Sequence, residues 1–171
     1  MVEMEESRSK ALRNIRTEGD PSLGKICRPI ERFDAKLAAL IDDLFDTMYD
    51  ADGVGLAASQ VGVLRRVVVI DTGDGPVEMV NPVIRKQEGL QGDMEGCLSF
   101  PGQSGYVERA EHVVAEAFDR KGRLYEYDAY GLFARAIQHE LDHLDGLTYR
   151  RLVKDPPPEC EKKLREGEAG A

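Results

Sequence analysis

The chain has 171 residues, 42% of them hydrophobic, and a formal net charge of −9 from 32 acidic and 23 basic side chains. That length suits one domain with a real core. An acidic balance without a basic stripe argues against direct binding of DNA or RNA, and there is no apolar run of about 18 residues to span a membrane.

Residues 1–10 are polar and partly acidic, with the features of neither a secretory signal nor an Arg-rich transit peptide. They are expected to be a disordered extension. Three cysteines, Cys27, Cys97 and Cys160, form an odd and sparse set. That usage indicates a reducing, cytoplasmic setting rather than a disulfide framework.

Residues 27–30 read as an extended lead-in. Asp34 has the chemistry of a helix N-cap. Leu37, Leu40, Ile41, Leu44, Phe45 and Met48 follow at helical spacing, with Asp42, Asp43 and Asp46 on the other side. This predicts an amphipathic helix that ends near Ala51, before Asp52 and Gly53. Residues 53–62 are small and glycine-bounded, consistent with a tight connection or a close backbone approach. Gln60 in that segment needs a polar partner.

Val67, Val68, Val69 and Ile70 form a β-branched run that predicts a buried strand. Residues 71–76 are turn chemistry, and a second strand over 77–80 is checked by Asn81-Pro82 before 83–86 can resume it. The pair reads as an antiparallel hairpin. Residues 95–102 are expected in a loop or an irregular strand end. Val107, residues 112–118 and residues 124–127 read as strands, with 119–122 as the turn between the last two. His112 is expected as an ordinary strand residue. A helix follows from about Tyr130 to Leu144, closed by Asp145-Gly146. Pro156, Pro157 and Pro158 end the compact unit. The expected organisation is one domain over 11–154, then a Pro-rich and charged tail over 155–171. The fold class is α+β: antiparallel β-sheets around a central helix, with an amphipathic helix before them.

The central helix carries His139-Glu140-Leu141-Asp142-His143. Residues four apart lie on one face of a helix, so His139 and His143 can hold one divalent metal. Glu140 stands beside such an ion as a general base. A catalytic site of this kind needs a third ligand and an open position. No histidine follows His143, and the best remaining candidate is Cys97, 42 residues before His139. Taken alone, each feature has a plain alternative: a solvated helix face, and a small buried thiol.

Together the motifs resemble the peptide deformylase family. That family carries Gly-x-Gly-x-Ala-Ala-x-Gln, Glu-Gly-Cys-x-Ser and His-Glu-x-x-His in this order. They stand here at 53–60, 95–99 and 139–143, and the similarity extends over about 11–151. The resemblance implies that Cys97, His139 and His143 bind one divalent metal: Fe2+ natively, with Zn2+, Ni2+ or Co2+ also accepted. It implies hydrolysis of the formamide of an N-formyl-Met nascent peptide to formate and a free methionyl N-terminus. Glu140 acts as base, then as proton donor to the amine. Gln60 and the Leu98 backbone N–H hold the oxyanion. The peptide is expected to lie along Gly53, Val54 and Gly55 as an added strand. Its methionine is expected to sit among Val54, Leu98, Ala136 and Ile137. Glu95 is expected as a structural carboxylate paired with Arg109.

Two departures from the family pattern bear on partners. Residues 103–105 carry no basic side chain where some relatives have one. The tail after Arg151 is short and proline-broken where some bacterial relatives have a longer helix, which weakens a transient ribosome contact. A monomer is expected. The rival readings are a zincin-type metalloprotease, which lacks a downstream third ligand, and a non-enzymatic metal-binding domain, which would need a fourth.

Overall fold

The computed structural model describes residues 11–161. The extension expected over 1–10, and the tail beyond 161, lie outside the described residues.

Helix α1 spans Ala35–Asp50, and the Asp34 carboxylate accepts the Leu37 N–H at 3.0 Å as its N-cap. Strands follow in the order β1 Gly55–Ala57, β2 Val67–Ile70, β3 Val77–Glu88, β4 Gln91–Gly96, β5 Ser104–Arg109, β6 His112–Phe118 and β7 Leu124–Tyr130. Helix α2 then spans Gly131–Leu144. Five strands form one antiparallel sheet in the order β1-β2-β3-β6-β7, and β4 and β5 pair separately.

The sheet lies between the two helices. Val67 and Val69 point into a cluster with Leu37, Ile41, Leu44 and Met48 of α1. Val68 and Ile70 point the other way, into a cluster with Ile137, Leu141 and Leu144 of α2. Successive strand residues face opposite sides, so a strand covered on both faces is apolar at every position. This is why β2 is an unbroken β-branched run.

Two expectations are revised and a third is met. Residues 53–62 are more than a connection. They contain edge strand β1 and a 3-10 turn over Ala58–Val61. As expected, β3 resumes after the break at Asn81-Pro82, and it runs on to Glu88. Asn81 takes φ 50, the ladder shifts register there, and its side chain bonds both the N–H and the carbonyl of Ile30. The stretch ahead of Cys97 is a regular strand, β4, which lacks a β-branched run because it is largely exposed.

The β4–β5 arm leaves the main sheet between β3 and β6. The pair Glu88↔His112 closes its base. Beyond Gly96 the chain turns, and the Phe100 N–H donates to the Cys97 carbonyl at 2.9 Å. The arm therefore carries Cys97 back toward α2.

Candidate metal centre and cleft

Helix α2 is buried along most of its length, including His139, Glu140 and His143. On its polar face, Gln138 bonds Ala110 and Ala134, and His139 meets Glu95. The facing Nε2 atoms of His139 and His143 are 3.3 Å apart, and Cys97 Sγ is 3.4 Å from His143 Nε2. The ligand atoms of Cys97, His139 and His143 all lie within 4.8 Å of one another. Nitrogens bound to one tetrahedral ion at about 2.0–2.1 Å stand about 3.3 Å apart, and a nitrogen and a thiolate sulfur about 3.5 Å apart. The spacing and chemistry of these donors fit a single divalent ion.

Electrostatics agree with that fit. Burial pushes His143 down to about 3, so it stays neutral and keeps a lone pair for an ion. Burial also opposes charge on His139, but contacts with Cys97 and Glu95 outweigh it and raise the group to about 10. Positive charge is favoured at that point, whether as a proton or as a shared cation. The Glu95 carboxylate touches His139 Nδ1 and fixes the ring. Such carboxylate–imidazole contacts orient metal-ligating histidines.

Glu95 in turn accepts from Arg109 Nε at 2.9 Å and Nη2 at 2.6 Å, and from Arg135 Nη1 at 2.7 Å. Burial works to raise its pKa, but bonds from His139 and Arg109 hold it well below the usual carboxylate range. The expected Glu95–Arg109 pair is present, and Arg135 is a second partner.

Glu140 is different. Burial raises it to about 7, and its Oε2 has no hydrogen-bond partner among the described residues. A carboxyl poised near neutrality with a free oxygen suits proton transfer. Gly55 makes room for it: a Cβ there would stand 2.6 Å from Glu140 Oε1. Gln60 is locked in place. Its Oε1 accepts the Ala57 N–H at 2.9 Å, and its Nε2 donates to Ser99 Oγ at 3.0 Å, 3.4 Å from Cys97 Sγ.

Gln60, Glu95, Cys97, His139 and Glu140 line a cleft of about 450 Å3 with Gly53, Val54, Leu98, Leu132, Arg135 and Ala136, and buried His143 contacts two of them, Cys97 and His139. Ile137 does not join them. It is fully buried in the core between α2 and the sheet. At 100° per residue, a position two before His139 lies about 200° round the helix, on the far side. Leu132 and Arg135 were missed by the sequence reading. They lie seven and four residues before His139, on its own face of the helix, and that spacing is the signal that identifies them.

Residues 12–157 match the family model of Polypeptide deformylase. A peptide deformylase of Agathobacter rectalis is 53% identical over 144 residues, covering 84% of this chain and 91% of the relative. The crystal structure of peptide deformylase from Thermotoga maritima superposes with a TM-score of 0.83 at 38% identity, covering 85% of this chain and 99% of that one. The Met-Ala-Ser-bound peptide deformylase of Acinetobacter baumannii superposes with a TM-score of 0.81 at 31% identity, covering 84% and 99% respectively.

Proposed function

The chain belongs to the polypeptide deformylase family, and from that membership we infer that it removes the N-formyl group from the N-terminal methionine of newly made polypeptides. It is a metallohydrolase, and its products are formate and a free amino terminus. The observation that carries the assignment of roles is the convergence of Cys97, His139, Glu140 and Gln60 on one cleft beside an edge strand, with buried His143 grouped with Cys97 and His139.

Cys97 Sγ and the Nε2 atoms of His139 and His143 would hold one divalent ion. A bound ion supplies Lewis acidity and lowers the pKa of water. Two nitrogens and a thiolate suit zinc without excluding iron, nickel or cobalt. We assign Fe2+ as the native ion by analogy with the family.

Glu140 takes the proton from the attacking water and later delivers it to the leaving amine. Its buried carboxyl near pH 7 serves in both directions. The Gln60 amide and the Leu98 N–H donate to the oxyanion. Gln60 is set before charge develops, because its carbonyl oxygen is already spent on Ala57. Glu95 keeps the His139 ring turned toward the ion. The substrate backbone pairs along residues 53–55, where β1 leaves the sheet edge open. Its methionine side chain fits among Val54, Leu98, Leu132 and Ala136. The Acinetobacter relative binds Met-Ala-Ser, which supports a methionyl peptide as the ligand class. We propose that it acts as a monomer. Its work on nascent chains places it in a bacterial-type cytoplasm.

Formate release from formyl-Met-Ala-Ser by metal-loaded protein, purified without oxygen, is the test. Rapid release is expected, with none from the acetylated peptide and none with Glu140→Ala. Release from neither peptide by fully loaded wild type would overturn the reading. Cleavage inside an unblocked longer peptide would point to the protease instead.

A further inference from the structure

Residues 13–20 contain little regular structure, yet they are tied to the body of the protein at Arg13, Arg16 and Glu18. The Arg13 N–H donates to Thr47 Oγ1 at 3.0 Å, and its guanidinium holds Asp43, both on α1. The Arg16 N–H donates to the Gln60 carbonyl at 2.6 Å. The Glu18 N–H donates to the Ser99 carbonyl at 3.0 Å. Gln60 and Ser99 are themselves joined through their side chains at 3.0 Å. The segment is thus a strap across two turns that are remote in sequence, one carrying Gln60 and the other carrying Leu98.

The Glu18 side chain extends this closure to the cleft. Its carboxylate accepts from Gln103 Nε2 at 3.2 Å and from Arg150 Nη1. The Arg150 guanidinium lies 5.3 Å from the centre of the Phe100 ring. Phe100 and Gln103 both line the cleft, and they bracket the end of the turn that begins at Cys97: the Gln103 N–H donates to the Phe100 carbonyl at 3.2 Å.

We propose that this strap, fastened by Glu18, sets the separation between the Gln60 amide and the Leu98 N–H. Glu18 is a positioning residue; its side chain acts through Gln103 and Arg150 on the turn that its backbone N–H holds at Ser99. The inference rests on the reading of Gln60 and Leu98 as oxyanion donors. Such donors work only within a few tenths of an ångström of the developing charge. A small spreading of the two turns weakens an interaction made in the transition state and leaves ground-state binding alone, so the effect falls on kcat and not on KM.

The experiment compares metal-loaded wild type with Glu18→Ala, Glu18→Arg, Arg150→Glu and the charge-swapped double variant, on formyl-Met-Ala-Ser. Glu18→Ala is expected to lower kcat about tenfold, an outcome between no displacement and the roughly 10²-fold cost of a full ångström. KM, metal content and thermal midpoint should stay at wild-type values, because exposed ion pairs add little stability. The double variant should regain most of kcat, since the Gln103 amide can turn its oxygen to the new arginine. A kcat for Glu18→Ala indistinguishable from wild type, a loss confined to KM, a loss that tracks lost metal, or no recovery in the swap would each overturn the proposal. Gln60→Glu in the same assay separates the two levels. Full activity there removes the oxyanion reading itself; loss there with unchanged Glu18→Ala removes only the strap.

Discussion

Glu95 carries the heaviest electrostatic load in the site. One carboxylate, 5% exposed, meets two guanidinium groups and an imidazole. Removing one partner of a buried pair leaves the others uncompensated, at a cost of about 3–5 kcal/mol. Glu95→Ala is expected to lower stability by that amount, read as a fall in the urea midpoint. Glu95→Gln keeps the shape and should cost less stability, while weakening metal affinity about 10–100-fold through the loosened His139 ring. Gly55 is the other sensitive position. A methyl group there would press on Glu140, so Gly55→Ala should lower kcat by about 10²-fold with the fold kept, as circular dichroism and steady-state rates would show. The residues of the three motifs were legible because each motif keeps its chemistry within a few residues of chain. Ile137 was misread because an apolar residue next to a motif was given a face without counting turns from His139. Arg135 was invisible to a search for apolar walls, since its charge is met by Glu95, 40 residues away.

Elements joined by local signals were legible, and elements joined by distant partners were not. The Asp34 cap is a local signal. Asp34→Ala should cost about 1 kcal/mol, measurable by thermal melting. The run of β2 and the turn at 119–122 are local too. Strand β4 was hidden because its pairing with β5 leaves most of it in water, without an apolar alternation to betray it. His112 joins three strands. It stands on β6, contacts Asp128 of β7 and lies 3.1 Å from Glu88 of β3, with its ring stacked on Tyr130. Bonds to Asp128 and then Glu88 raise its pKa above the ordinary 6.5. A raised folded-state pKa gives stability that is complete below about 6.5 and is lost as pH rises through the raised value. The melting temperature of the wild type should therefore fall across that window relative to His112→Asn. Parallel profiles for the two proteins would refute the assignment.

At the scale of the whole molecule, the proposed ion would join two parts of the chain. His139 and His143 belong to the helix under the main sheet, and Cys97 belongs to the β4–β5 arm. A ligand that binds only the folded state adds stability by mass action, about 2.7 kcal/mol at a hundredfold excess over its Kd. Chelation should accordingly abolish formate release and lower the melting temperature together, and re-addition of metal should restore both. If the melting temperature held while activity vanished, the ion would not bridge the two parts. The arm has a further consequence for motion. Residues 89–111 leave the main ladder at Glu88 and rejoin it at His112, so they can open without breaking any pairing of β2, β6 or β7. Local opening proceeds in such cooperative units. In amide hydrogen exchange, the protein without metal should release deuterium from Gln91–Arg109 well before the core strands, and metal loading should close that gap.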